Sequence, residues 1–367
     1  MKTIVVGMSG GVDSAVTALL LKEQGYSVIG MFMKNWEEEI DGVCPATEDF
    51  KDVVRVASAL GIPYYPINFS KEYKEQVFAD FLQELKKGNT PNPDILCNRE
   101  IKFKLLLETA MNLGADGLAT GHYAQNIFAD GSYQLTKSVD LTKDQTYFIY
   151  TLNQEIMSKV LFPIGNMPKG QVRQIAKAHN LAVAEKKDST GICFIGERNF
   201  RQFLSQHLGY KPGTFRTLDG KVVGTHQGVA YYTIGQRRGL AIGGAGDAWF
   251  AVGKAVEENV VWVVQGSMHP ALFADELTAH TASWVAGTPP GPLPFDCHAK
   301  IRYRQEDQPC VIEKISDGTL HVRFKVPQRA ITPQQSIVFY KDSICLGGAI
   351  INKAGPTYHE MGKSLTK

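Results

Sequence analysis

Nothing in this 367-residue chain approaches the run of roughly 20 apolar residues that a membrane-spanning helix requires. The N-terminus has one lysine and a very short apolar stretch before Asp13, which is not a secretory pattern. A cytoplasmic location without a membrane partner is therefore expected. The six cysteines, Cys44, Cys97, Cys193, Cys297, Cys310 and Cys345, include no C-x-x-C pair. That spacing argues against a zinc ribbon, an iron–sulfur site and a thioredoxin-type centre, and no dedicated metal-ligand set is expected. A disulfide framework is not expected either, so a functional cysteine here would be a reactive one. Net charge is only +2, which argues neither for nor against a nucleic-acid partner. Internal repeats and low-complexity tracts are lacking. So is a Walker A motif: Met361-Gly362-Lys363-Ser364 has the right ending, but Gly355 is misplaced upstream and no strand precedes it.

What the chain does have is Gly7-Met8-Ser9-Gly10-Gly11-Val12-Asp13-Ser14. Thr3-Ile4-Val5-Val6 before it reads as a short buried strand, and residues 15–22 after it read as a helix ending near Gly25. A strand, a glycine turn with hydroxyls and a helix start make a phosphate cradle. Glycines let the backbone approach an anion closely, and the amides of the helix N-terminus then point at it. Ser9 and Ser14 add hydroxyl donors, and Asp13 is placed to organise the loop or a magnesium ion. With no lysine after the glycines, Ser-Gly-Gly-Val-Asp-Ser resembles the pyrophosphatase loop of the PP-loop ATPases. Members of that superfamily generally split ATP into AMP and pyrophosphate and adenylate a substrate oxygen.

Strands at 27–33, 63–69 and 117–120 alternate with helices over 47–60, 70–87 and 94–113. This predicts an α/β, doubly wound parallel sheet with its ligand at the carboxyl ends of the strands. Gly121-His122-Tyr123 should lie at that same edge. After about residue 200 helical periodicity fades, and short β-branched or aromatic runs at 222–223, 229–232 and 260–264 predict a small β-rich domain. Pro289-Pro290-Gly291-Pro292-Leu293-Pro294 reads as a stiff connection. Beyond it, 297–303, 310–315, 320–324 and 336–340 are predicted as strands of a small closed or nearly closed barrel. The expected division is a PP-loop domain over 1–200, a central β-rich domain over 201–268, a β-barrel over 269–354 and a tail over 355–367. Residues 1–130 hold 12 Lys and Arg against 18 Asp and Glu, whereas residues 186–254 hold 10 against 4. A basic middle suits a docked polyanion, or solvated surface charge.

Two cysteines stand in chemical settings. Pro91 and Pro93 hold an extended entry to a helix that Asp94 can cap. Cys97 then falls in the first turn, where the helix dipole favours a thiolate; a small buried core residue is the other reading. Cys193 lies in Lys186-Lys187-Asp188-Ser189-Thr190-Gly191-Ile192-Cys193-Phe194, a polar loop whose positive charge suits a nucleophilic thiol. A bland surface cysteine is the alternative. Tyr303 between Arg302 and Arg304 suits stacking of a flipped base, or an alternating barrel strand. Arg237, Arg238, Lys211 and Arg216 fit phosphate contacts or ordinary surface charge.

The strings belong together. Residues 7–14, Met31-Phe32-Met33-Lys34-Asn35-Trp36, Thr90-Pro91-Asn92-Pro93-Asp94 with Cys97-Asn98, and Ala119-Thr120-Gly121-His122-Tyr123 are the first four. Lys143-Asp144-Gln145, Asp188-Ser189 with Gly191-Ile192-Cys193-Phe194, and Thr233-Ile234-Gly235-Gln236-Arg237-Arg238-Gly239 follow. Arg302-Tyr303-Arg304 and Thr332-Pro333 with Gln335 complete the set. Together they resemble the tRNA-specific 2-thiouridylase family over nearly the whole chain. The resemblance implies ATP, with Mg2+, as cofactor and tRNA carrying a wobble uridine (Lys, Glu and Gln acceptors) as substrate. It implies that ATP adenylates O2 of the uridine, and that a persulfide on Cys193 delivers sulfur to C2. Cys97 would release that sulfur as nucleophile, closing a transient disulfide with Cys193, and Asp94 would act as general acid/base. Carried over with it are ATP contacts at Gly7, Met8, Ser9, Gly10, Gly11, Val12, Asp13, Ser14, Met33 and Gly121. The implied tRNA contacts are Asn92, Pro93, Asp94, His122, Lys143, Asp144, Gln145, Arg302, Tyr303 and Gln335. A sulfur donor protein, either a cysteine desulfurase or a relay carrier, is an expected partner. The competing expectation is another PP-loop adenylating enzyme acting on tRNA, such as a lysidine synthetase. Such an enzyme needs no cysteine pair.

Overall fold

The apolar strand β1 (Thr3–Met8) is the middle strand of a five-stranded parallel sheet. The computed structural model describes residues 1–37, 45–188 and 200–365. β2 (Ser27–Lys34) and β3 (Tyr64–Asn68) extend the sheet on one side of β1. β4 (Gly117–Thr120), buried at every residue, extends it on the other side. Between β1 and β2 runs α1 (Val12–Glu23), sunk along most of its length because Ala15, Val16, Ala18, Leu19 and Leu21 face the sheet. α2 (Pro45–Leu60) connects β2 to β3. Strand order reverses between β1 and β4, so a crevice opens there at the carboxyl edge.

The helices expected over 70–87 and 94–113 form, but each is wound more widely in its middle. Lys74–Phe78 and Cys97–Leu106 adopt π-helical turns between α-helical flanks. The reason is packing. A five-residue spacing places Tyr73 with Phe78, and Ile101 with Leu106, on one core-facing side, and all four are at most 2% exposed. Trp36 and Phe203 meet Phe78 edge-on or tilted, with ring centroids 4.8 and 5.7 Å away.

A hairpin the sequence did not announce, β5 (Ala124–Ala129) and β6 (Ser132–Lys137), leaves this layer before the short strand β7 (Val160–Leu161) returns to it. A mixed sheet of order β10-β11-β8-β9 follows, from β8 (Gly213–Arg216), β9 (Val222–His226), β10 (Trp249–Ala255) and β11 (Val260–Gln265). The strand expected at 229–232 is instead a single 3-10 turn, Val229–Tyr231. Its β-branched and aromatic residues lose to Gly228, whose φ of 138° starts a turn that buries both Val229 and Tyr231.

Six antiparallel strands then close a barrel: β12 (Phe273–Trp284), β13 (Phe295–Lys300), β14 (Gln308–Ser316), β15 (Thr319–Arg329), β16 (Ser336–Lys341) and β17 (Ile344–Ala354). Pairing of β12 with β17 completes the ring, which leaves no free barrel edge. The strand expected at 297–303 ends at Lys300, because Gln305 Oε1 captures the Ile301 N–H at 2.8 Å and Arg304 adopts a φ of 64°. Tyr303 therefore sits in a turn. The hairpin β5–β6 pairs with β17 through Leu135 and Thr136, which ties the first layer to the barrel. Residues past the barrel fold back on it: Tyr358 donates from its hydroxyl to Asp275 at 2.8 Å.

Candidate functional site

At the carboxyl end of β1 the chain turns at Gly10, φ +74°, where an added Cβ would lie 2.5 Å from the Asp49 carbonyl oxygen. No side chain caps α1 at Gly11, so the positive end of its dipole is left for an anion. Ser14 Oγ accepts from the Ser9 N–H at 3.1 Å and donates to Gly11 O at 3.1 Å, which fixes the turn. Across the crevice Gly121 follows β4. A Cβ there would stand 2.8 Å from Ser14 N and 2.9 Å from Asp13 C, so only glycine lets this strand end close on the loop. Met33 occupies the carboxyl end of β2, beside Ile67 of β3. The arrangement fits a phosphate group: closely approached backbone, two hydroxyls and an uncapped helix start.

Asp13 carries a charge network. Its Oδ1 accepts from Tyr123 Oη at 2.9 Å, and Lys169 Nζ bonds its two oxygens at 2.7 and 2.8 Å. Burial and the Asp13 charge push the Tyr123 hydroxyl far up, so it stays a donor. Lys169 also reaches Asp188 Oδ1 at 2.8 Å, and Asp188 is further held by Arg173 and Lys143, each at 2.8 Å. Burial works against the Asp188 charge, but the lysine hydrogen bonds override it and hold the carboxyl down at about 2. Lys186 bonds Gly10 O at 3.0 Å and pairs with Asp49 and Asp52. Lys169 was not flagged by sequence, though a signal existed. It opens the helix Lys169–Ala178, and a lysine at the positive end of a helix dipole calls for an anionic partner.

The segment 88–97 is pinned from all sides. Asn92 caps the turn Pro93–Leu96, accepting from the N–H groups of Asp94 at 3.2 Å and Ile95 at 3.4 Å. Asn92 thus takes the role expected of Asp94, since Pro93 fills the first helical position and shifts the cap back by two. Cys97 follows at 0% exposure. Gln335 Nε2 donates to the Thr90 carbonyl at 2.6 Å, bringing in the barrel. Lys254 Nζ donates to the Gly88 carbonyl at 2.6 Å, bringing in the central sheet. Burial pushes Lys254 down from 10.5 to about 8. Between those values the unfolded chain binds the extra proton, so this lysine makes stability rise with pH. Replacing Lys254 by methionine should flatten the rise of Tm between pH 8 and 10 relative to wild type, read by calorimetry at each pH.

The remaining expected contacts divide. His122 is buried, with Nδ1 2.7 Å from Thr120 Oγ1 and its ring between Phe103 and Phe162; burial holds it well below the usual histidine range, so it is neutral. Asp144 accepts from Ser138 N at 3.1 Å and Thr146 Oγ1 at 2.7 Å, and burial raises its carboxyl. Gln145 Oε1 accepts from Tyr123 N at 2.9 Å. Arg302 is turned inward onto the carbonyls of Arg329 and Ala330. Tyr303 packs on Phe148 at 4.4 Å between centroids, with the Arg304 guanidinium 5.3 Å from its own centroid. Phe148 was not anticipated; its carbonyl accepts from Asn98, the neighbour of Cys97, at 3.2 Å. Cys193 and the segment around it, and Cys44, lie outside the described residues.

Three family models match the chain. A tRNA methyl transferase HUP domain covers residues 2–197, a tRNA methyl transferase PRC-barrel domain 201–265 and an aminomethyltransferase beta-barrel domain 274–351. The chain is 61% identical over 366 residues to the tRNA-specific 2-thiouridylase MnmA of Protochlamydia amoebophila, spanning 99% of this chain and 97% of that one. It is 56% identical over 365 residues to the protein of the same name from Exiguobacterium sibiricum, spanning 99% and 96%. Among solved structures, the U34-tRNA thiolase NcsA from Methanococcus maripaludis aligns at 20% identity over 56% of this chain and 64% of that chain, with a TM-score of 0.35.

Proposed function

The chain belongs to the tRNA-specific 2-thiouridylase family, and from that premise we propose that it converts the wobble uridine of tRNA to 2-thiouridine in an ATP-dependent reaction. The observation that carries this reading is the loop at residues 7–14: a phosphate cradle without a Walker lysine, in a chain that also bears the helix start at Asn92 and the cysteine four residues beyond Pro93. ATP supplies the adenylyl group that turns O2 of the uridine into part of a leaving group. Gly7, Met8, Ser9, Gly10, Gly11, Val12, Asp13 and Ser14 would cradle its phosphates, with Met33 and Gly121 beside them. Asp13 is the carboxylate nearest to hand for Mg2+. Asn92, Pro93 and Asp94 would meet the base, and Asp94 would move the proton there. The terminal sulfur of a Cys193 persulfide attacks C2, and AMP departs with O2. The Cys97 thiolate then attacks the Cys193 sulfur. The S–S bond to the transferred atom breaks, its electron pair stays on that sulfur, and 2-thiouridine leaves with a Cys97–Cys193 disulfide that a thiol reductant must reopen.

Tyr303, held by a tilted contact with Phe148, offers an aromatic ring for an unstacked base. Lys143, Gln335 and Arg302 would place the RNA through contacts or through the loops they hold. A sulfur donor protein reloads Cys193, and the reaction suits the cytoplasm; among the described residues no helix is long and apolar enough to cross a membrane. The division into 1–200, 201–268 and 269–354 belongs to the same reading. Nucleoside mass spectrometry of unmodified tRNA incubated with protein, ATP, Mg2+ and a persulfide source tests it. The expected product is 2-thiouridine with AMP; lysidine or no modified base would overturn it. Docking of RNA on the basic middle makes a second expectation. Replacing Arg237 and Arg238 by alanine should lower the slope of log affinity against log salt by about 2. An unchanged slope would remove them from the footprint.

A further inference from the structure

We propose that the ion-pair chain Lys143–Asp188–Lys169–Asp13 couples the RNA-binding face to the nucleotide loop, so that tRNA and Mg2+-ATP tighten each other's binding. The inference deepens the thiouridylase reading and rests on it, because it takes Lys143 as an RNA contact.

The chain has no slack. Asp188 has two oxygens: Oδ2 is taken by Lys143, while Oδ1 is shared by Lys169 and Arg173, every contact being 2.8 Å. Lys169 has three protons, and three carboxylate oxygens lie within reach, two on Asp13 at 2.7 and 2.8 Å and one on Asp188. Its side chain is only 11% exposed, so water cannot replace a lost partner cheaply. Lys143, at 31%, is the accessible end.

An RNA phosphate competes for Lys143 as a full anion against an Asp188 carboxylate that Lys169 and Arg173 already partly neutralise. Once it takes Lys143, Asp188 loses one of its three cations and draws more of Lys169. Asp13 then gives up part of its counter-ion and keeps the Tyr123 hydroxyl. A less neutralised Asp13 in the loop favours a nucleotide that arrives with a divalent cation. By linkage the nucleotide must favour RNA by the same factor. The two occupants thus compete not with each other but for the two ends of one chain of charges, and each leaves the chain in the state the other needs.

The test is the dissociation constant of Mg2+-α,β-methylene-ATP, which cannot be split at the reacting bond, measured by equilibrium dialysis with and without saturating unmodified tRNA. Wild type should bind the analogue at least about fivefold more tightly with tRNA, the lower end of ordinary coupling. Asp188→Asn, which keeps the shape and removes the charge, should bring the ratio to within about twofold of one. Lys143→Gln breaks the chain at its accessible end and should do the same, so a folding defect in one variant does not decide the matter. Lys177→Gln, at the far end of the helix Lys169–Ala178, removes only an exposed pair with Glu185 and should keep the wild-type ratio. A wild-type ratio of one, or a full ratio in both Asp188→Asn and Lys143→Gln, would overturn the coupling while leaving the thiouridylase reading intact. Failure of wild type to bind tRNA at all would overturn both.

Discussion

Cys97→Ser and Cys193→Ser should each abolish thiolation from a persulfide source, by at least about 10³-fold, while release of AMP from ATP in the presence of tRNA persists. Adenylation needs the loop and the base, not a thiol, so the two halves of the reaction separate in these variants. Serine is nearly isosteric with cysteine and leaves packing at the fully buried Cys97 close to native; a hydroxyl at that site neither attacks a disulfide sulfur nor forms a persulfide. The expected pattern also distinguishes the two residues. With free sulfide replacing the persulfide source, Cys193→Ser should recover some product, because the sulfur-carrying step is bypassed. Equal loss of AMP and of thiolation would mean that Cys97 serves the architecture of the base loop and not sulfur release. A thiolation assay on mercury-retarding gels, run beside AMP chromatography, reads both.

Gly121→Ala should weaken ATP binding by about tenfold or more. The added methyl would sit 2.8 Å from Ser14 N and 2.9 Å from Asp13 C, both backbone atoms of the loop. Neither can move without displacing the start of α1. Overpacking of this kind costs about 1–3 kcal/mol, and about 1.4 kcal/mol is already tenfold in affinity. The clash is relieved only by shifting the loop, so the dissociation constant for ATP should rise and a fall in Tm should accompany it. A normal constant for ATP in the variant would show that the strand end and the loop are not the nucleotide's walls.

How much of this was legible beforehand depends on the range of the interactions involved. The parallel sheet and the loop were readable because their signals are local: a short apolar strand, glycines and an amphipathic helix succeed each other within the first 23 residues. The barrel was readable as alternating β-branched runs. Three readings failed where a neighbour overrode propensity. Asn92 displaced Asp94 as cap because Pro93 moved the helix start; Gly228 turned 229–231 into a helical turn; Gln305 ended the strand before Tyr303. The hairpin β5–β6 was missed because its stabilising partner, β17, lies some two hundred residues away. Lys169 and Lys254 were missed for a related reason, and Tyr123, placed at the right edge, was not given its bond to Asp13. Their partners Asp13 and Gly88 are distant in sequence, and a lone lysine or tyrosine announces no partner. The motif at residues 88–97 was visible as a string, but not its dependence on Gln335 of the barrel and Lys254 of the central sheet, which hold the carbonyls of Thr90 and Gly88.

Each sulfur transferred through the cysteine pair should consume one ATP and release one AMP. That stoichiometry is tested most directly in a single turnover of enzyme preloaded with persulfide, mixed with ATP, Mg2+ and excess unmodified tRNA without reductant. AMP, 2-thiouridine and a Cys97–Cys193 disulfide should form in equal amounts per loaded enzyme. ADP in place of AMP, or thiouridine formed with both cysteines still reduced, would contradict it.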